Sequence, residues 1–269
     1  MKYRLIASDF DDTLYDEVAL SPRTLKAIAD YRAAGGKFCV ATGRIFSSIR
    51  PFIPLLGVDD EVIACQGSAI YHASSGEVIH KFALDKDAAR IALTFFENNG
   101  NVCHAYSDEV FFVEEENPLS AEYAGYCGVQ PTFVHEKLSS YIDKMDSVNK
   151  VISIMDESEI DGKMEALRAI LGDRAEVTKS SPIFLEVTSG SAGKGNALEY
   201  LAARFSVPMS ETAAVGDNLN DLSMVVKAGL GCSVGNGVPY LRERADLVLP
   251  SVYEDGVAVL IERILADEI

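Results

Sequence analysis

Asp9, Asp11 and Asp12 follow directly on an apolar, strand-like run, Tyr3-Arg4-Leu5-Ile6-Ala7-Ser8. Three carboxylates so close together repel one another, and a strand end that carries them is suited to holding a cation. Asp9 and Asp11 are separated by one residue, so both could lean toward one pocket. One could then act as a nucleophile and the other as a proton carrier, with both beside a magnesium ion. The plainer reading is an acidic turn that caps the next helix, since a single Asp is common in turns and at N-caps. That reading suits one Asp better than three.

Three further segments carry similar chemistry. Thr42-Gly43-Arg44 follows the apolar run Lys37–Ala41, and a hydroxyl beside an open glycine N–H suits a phosphate oxygen. Gly190-Ser191-Ala192-Gly193-Lys194-Gly195 looks at first like a phosphate loop. A Walker loop needs four residues before its Gly-Lys pair and Ser or Thr after the Lys. Here two intervene and Gly195 follows, so a Lys presented at a helix start fits better. Gly216-Asp217-Asn218-Leu219-Asn220-Asp221 follows the run Thr212–Val215, again placing acids at a strand end. One of them could serve as an N-cap. Two Asp and two Asn in five positions exceed what capping needs, and a second half-set of magnesium ligands accounts for the excess.

The elements that would position these residues alternate. A strand ending near Ser8 leads to a helix opened by Ser21-Pro22 and closed by Gly35-Gly36, then to a strand over 37–41. A helix to about Leu56 and a strand over 61–65 follow. Strand–helix alternation implies a parallel sheet with right-handed crossovers. Near residue 83 the pattern changes to a helix over 85–99, a hairpin around Asp108-Glu109, a helix over 117–127, a strand over 148–155, a helix over 158–171 and strands over 174–179 and 182–188. Alternation resumes with helix 193–205, strand 212–215, helix 218–228, strands 230–234 and 246–249 and helix 255–265. The expected architecture is α/β: a Rossmann-like parallel-sheet core over 1–82 and 189–269, with an inserted α+β cap over 83–188.

Composition narrows the function. The chain has 269 residues, is 48% hydrophobic and carries a formal charge of −17 with its acids spread along the length. That balance argues against nucleic-acid and anionic-membrane partners. No apolar run reaches the roughly 20 residues that span a bilayer, and the acids at 9, 11 and 12 interrupt any signal-like stretch. Cys39, Cys65, Cys103, Cys127 and Cys232 are odd in number and include no CxxC, which reads as free thiols in a reducing cytoplasm. His72, His80, His104 and His135 show no ligand spacing.

Taken in order, Asp9-Phe10-Asp11-Asp12-Thr13, Thr42-Gly43-Arg44, Gly193-Lys194-Gly195 and Gly216–Asp221 resemble the haloacid dehalogenase-like hydrolases, specifically the Cof-type phosphatases with a large α/β cap. The resemblance extends to Gly231–Asn236 and to Glu254-Asp255-Gly256-Val257. It implies that Asp9 attacks phosphorus, that Asp11 exchanges the proton, and that Mg2+ is held by Asp9, the Asp11 carbonyl and Asp217 with Asp221 in support. It also implies that Phe10, Thr42, Gly43, Lys194 and Asn220 bind the phosphoryl group of a small phosphorylated substrate. A monomer or weak homo-oligomer is expected. Two positions depart from the family pattern: Asp12 stands where many members have Gly, and Gln66-Gly67 where Asn-Gly is usual. A phosphomutase or dedicated sugar-phosphate phosphatase on the same core is the nearest alternative. A receiver-like phospho-acceptor module is the non-enzymatic one, and it normally needs only about 120 residues.

Overall fold

The structure, a computed structural model, describes residues 1–16 and 18–269, with Tyr126 and Ser180 described by their backbone alone. The chain divides into two compact units. One comprises Met1–Gly43, Ile49–His80 and Gly193–Ile269; the other comprises Arg44–Ser48 and Lys81–Ala192.

The first unit opens with β1 (Leu5–Ser8), whose four residues are all buried. A strand apolar on both faces belongs in the middle of a parallel sheet. α1 (Pro22–Ala33) begins where the Ser21 hydroxyl accepts the Arg23 N–H at 3.2 Å and Pro22 supplies a pre-set φ. β2 (Lys37–Ala41) returns parallel to β1. The single helix expected up to Leu56 is instead broken into α2 (Phe46–Ile49), which belongs to the second unit as far as Ser48, a 3₁₀ turn over Arg50–Phe52 and α3 (Ile53–Leu56). Pro51 and Pro54 are the cause, because each removes a backbone donor and disfavours helical geometry in the residue before it. β3 (Glu61–Ala64) pairs parallel to β2. β4 (Ala69–His72) then turns back antiparallel on β3, and β5 (Val78–Lys81) forms the sheet edge, two strands the sequence reading did not place.

The second unit contains α4 (Lys86–Asn98), the hairpin β6 (Val102–Ser107) and β7 (Val110–Val113), α5 (Pro118–Cys127), β8 (Thr132–Phe133) and α6 (Leu138–Tyr141). β9 (Lys150–Ile154), α7 (Glu157–Leu171), β10 (Ala175–Ser181) and β11 (Phe184–Ser189) complete it. Its six strands run in the order β10-β11-β9-β6-β7-β8, antiparallel except where β7 meets β8. Leu93, Phe96, Ala105, Val151, Leu167, Val177, Leu185 and Val187 belong to its apolar core. Side chains alternate between faces along a strand, so the opposite face carries Lys150, Glu186 and His104. Lys150 Nζ lies 3.0 Å from Glu186 Oε2, with both side chains at most 5% exposed.

The chain then re-enters the first unit through α8 (Lys194–Arg204), β12 (Thr212–Gly216), α9 (Leu222–Lys227), β13 (Leu230–Ser233), α10 (Pro239–Arg242), β14 (Leu247–Val248) and α11 (Gly256–Leu265). The full sheet order is β14-β13-β12-β1-β2-β3-β4-β5. β12, β1, β2 and β3 are mutually parallel, so their C-terminal ends share one edge. In sheets of this kind ligands bind outside that edge.

Candidate active site

Four loops leave that shared edge. After β1, the Asp9 N–H donates to the Val215 carbonyl at 2.9 Å, which ties the first loop to the end of β12. The Phe10 carbonyl then accepts N–H groups from Thr13, Leu14 and Tyr15, winding residues 10–15 into a tight turn. The Phe10 ring is fully buried, 4.8 Å from Phe52 and 5.3 Å from Tyr15 between centroids, so what it can offer a ligand is its main chain. Asp12 has φ 55, a left-handed conformation that Gly and, among other residues, Asp and Asn adopt most readily. Asn236 fixes this turn from outside, its Nδ2 donating to the Asp12 carbonyl at 2.8 Å.

Lys194 is the first residue of α8 and is fully buried. Its start is made possible by Gly193 at φ 132 and by Gly195, where a Cβ would overlap the Ser223 carbonyl on α9. The long lysine stem lies in the interior while its ammonium reaches two acids. Nζ stands 2.5 Å from Asp9 Oδ1 and 2.5 Å from Asp221 Oδ1. Asp221 is itself fully buried, and its other oxygen accepts the N–H groups of Asp217 at 3.0 Å and Asn218 at 3.1 Å. Both Asp221 oxygens are therefore occupied, one by Lys194 and the other by the backbone of the loop after β12. Gly216 is required there, because a Cβ would overlap the Asp221 side chain.

Asp9, Asp217 and Asp221 each offer a carboxylate oxygen within 4.8 Å of the others. Asp11 is not in that cluster; it is half-buried, and its backbone bridges to Tyr15. Burial, reinforced by the charge of Asp221 and partly opposed by Lys194, holds Asp9 well above the usual carboxylate range. Asp217 is pushed up to about 7 by burial and by Asp221. Burial would lower the Lys194 ammonium, but Asp221 and Asp9 outweigh it and hold it above its ordinary value. Three acids against one ammonium leave an excess of negative charge, and hard carboxylate oxygens fit Mg2+. The residues present thus suit a divalent cation.

Thr42 is fully buried at the end of β2, its N–H donating to Ile63 at 2.9 Å. Its carbonyl accepts the Gln66 N–H at 3.1 Å, and Gly43 follows at the loop. Asn220 Nδ2 donates to Gln66 Oε1 at 2.9 Å. The structure thus brings Asp9, Lys194, Asp217 and Asp221 together and sets Thr42, Gly43 and Asn220 on neighbouring strand ends. Thr13, whose hydroxyl donates to Asp217 Oδ1 at 3.3 Å, was not singled out from sequence. Its position in the opening acidic motif was the available signal.

Comparison with known proteins agrees with this geometry. Residues 6–261 match the family described as haloacid dehalogenase-like hydrolase. The HMP-PP phosphatase of Escherichia coli K12 is 28% identical over 240 residues, covering 89% of this chain and 86% of that protein. A haloacid dehalogenase-like hydrolase structure from Bacteroides thetaiotaomicron superposes with a TM-score of 0.85 at 25% identity, covering 97% of this chain and 99% of the other. A Thermotoga maritima structure gives 0.82 at 27% identity, covering 97% of each chain. The chain belongs to the haloacid dehalogenase-like hydrolases. Within them it is a phosphatase of the Cof type that its motifs resemble.

Proposed function

We propose that this chain is a magnesium-dependent phosphatase that hydrolyses small phosphorylated metabolites through an aspartyl-phosphate. The observation that carries the reading is the buried Lys194 ammonium held 2.5 Å from both Asp9 and Asp221, with Asp217 completing the acidic cluster. In this reading Asp9 attacks phosphorus, the bond from phosphorus to the ester oxygen breaks, and Asp11 gives a proton to the departing alkoxide. Asp11 then takes a proton from water as the water oxygen displaces Asp9 from phosphorus. Inorganic phosphate leaves and both acids are restored. Proton transfer of this kind contributes about 10²–10⁴-fold.

Asp9, the Asp11 carbonyl and Asp217 would hold Mg2+, with Asp221 supporting them through Lys194 and the 217–218 backbone. The bound ion would supply positive charge beside the phosphoryl oxygens. The Phe10 main chain, Thr42, Gly43, Lys194 and Asn220 hold those oxygens. Lys194 thus supplies local positive charge against a background of −17. The insert over 83–188 serves as the cap that selects the organic group and excludes water. The name of the Escherichia coli relative supports a small phosphorylated compound as substrate. Five free cysteines support a reducing cytoplasm as the working compartment.

The test is hydrolysis of p-nitrophenyl phosphate. Chelation abolishes it, Mg2+ restores it, and Asp9→Asn yields no covalent phosphoenzyme. Full turnover in chelated protein, or phosphate trapped on Asp11 or Asp217, refutes the assignment.

A further inference from the structure

The turn after β3 has an unusual backbone. Cys65, Gln66 and Gly67 have φ of 52, 58 and 87, three left-handed residues in succession, of which only the last is glycine. A non-glycine residue is strained in that conformation and persists there only where its surroundings hold it, so the contacts that hold this turn are informative.

They lead to the proposed phosphate loops. The Gln66 N–H donates to the Thr42 carbonyl at 3.1 Å. A Cβ on Gly43 would lie 2.6 Å from Gln66 Nε2, so the carboxamide lies directly over Gly43. Gln66 Oε1 accepts from Asn220 Nδ2 at 2.9 Å. A Cβ on Gly67 would overlap the Gly193 carbonyl and lie 2.7 Å from the Lys194 N, so the turn is also seated on the start of α8. One residue and its successor thus touch Thr42, Gly43, Asn220 and Lys194, which come from two separate strand ends and one helix start.

We infer that Gln66 is a positioning residue that sets the Asn220 carboxamide for phosphate binding. The inference rests on the phosphatase reading above. With Oε1 accepting one Nδ2 hydrogen, the rotation of the Asn220 amide is fixed and its second Nδ2 hydrogen remains for a phosphoryl oxygen. The same carboxamide lies against Gly43, where any larger residue would displace it. An Asn at position 66 has one methylene less. It tolerates the left-handed backbone well but brings its amide short of Asn220. The extra reach of Gln therefore links loops that a shorter side chain would leave apart.

The experiment measures competitive inhibition by inorganic phosphate, and kcat and KM for p-nitrophenyl phosphate with Mg2+, on the full chain. Wild type, Gln66→Ala, Gln66→Asn, Asn220→Ala and the double variant Gln66→Ala/Asn220→Ala are compared, with thermal unfolding of each. Gln66→Ala is expected to weaken phosphate about fivefold, the value of one neutral hydrogen bond. Gln66→Asn is expected to weaken it similarly with its unfolding midpoint at or above the wild-type value. The double variant is expected to be no weaker than Asn220→Ala alone, because the two residues act as one unit. Independent, multiplying losses in the double variant overturn positioning through Asn220, and so does wild-type phosphate affinity in Gln66→Asn. If wild type itself neither binds phosphate nor hydrolyses the ester, the phosphatase reading falls and this inference falls with it. Normal wild-type turnover with silent Gln66 variants removes this inference alone.

Discussion

Replacing Lys194 by Met tests the centre of the site, because it removes the ammonium while keeping an unbranched apolar stem. In the folded chain that ammonium faces Asp9 and Asp221 at 2.5 Å each, with no side chain of the three more than 7% exposed. Removing one partner of a buried ion pair costs about 3–5 kcal/mol, since the charge left behind has neither water nor counter-ion. Proton uptake by the remaining acids limits the loss. Burial already holds Asp9 well above the usual carboxylate range and Asp217 at about 7, so these groups accept a proton readily once the cation is gone. Each unit of pH lowers the free energy of that uptake by about 1.4 kcal/mol. Metal-free Lys194→Met protein is therefore expected to lose about 3–5 kcal/mol at pH 7.5. At pH 5.5 part of that loss should be recovered, because the remaining acids take up protons more readily there. Urea unfolding followed by circular dichroism measures the difference at both pH values, the chain having no tryptophan. Added Mg2+ should narrow the gap at pH 7.5, because a cation then has less positive charge to compete with. The variant should nonetheless fail to hydrolyse phosphate esters. A loss of the same size at both pH values would show that unbalanced carboxylates are not its source. A gain in stability at pH 7.5 would refute the reasoning entirely.

Asp217 sets a pH dependence in metal-free protein. Its carboxyl titrates at about 7 when folded against 3.8 ordinarily, so between those values the folded chain binds a proton that the unfolded chain has released. Stability then falls as pH rises through that window, and Asp217→Asn should flatten the slope in urea titrations. Mg2+ affinity, read by calorimetry, should rise across the same window as the proton departs. Asp11→Asn should lower kcat by about 10²–10⁴-fold while phosphate still binds, and weakened phosphate inhibition would contradict that. Lys150→Met should destabilise the second unit by about 3–5 kcal/mol by leaving Glu186 buried without its partner, and pairing it with Glu186→Leu should restore most of the loss. Substitutions within 83–188 that preserve folding should reorder a series of phosphate esters, whereas Thr42→Ala should weaken all of them alike. Uniform losses from substitutions in the insert would leave it without a role in selectivity.

Much of the site was legible because its parts are local. Asp9, Thr42 and Asp217 each follow a short apolar run, and such runs become buried parallel strands whatever else the chain does. Ser21-Pro22 and Gly35-Gly36 marked the ends of α1 for the same reason, since capping chemistry acts within a few residues. The segment 68–82 was less legible. β4 is short and pairs antiparallel with β3, so neither a long apolar run nor a following helix announces it. Lys150 is another case. Its strand was expected, but a lysine in a strand ordinarily faces water, and only the neighbouring β11 supplies the Glu186 that permits its burial.

The sequence by itself determined the donors and the short apolar runs that carry them. Tertiary structure decided which donors meet. Lys194 lies 185 residues from Asp9 and 27 from Asp221, and Asn220 lies 154 from Gln66. Contacts of that separation carry no periodic signal, because they depend on where parallel strands bring their ends. Tertiary structure also distinguished Asp221 from Asp217. Both sit in the same acidic loop, yet one has both oxygens bound by Lys194 and the backbone, while the other is half-buried at its rim. Residue type makes a carboxylate available, but burial and neighbouring charge decide whether it serves as a ligand or as a support.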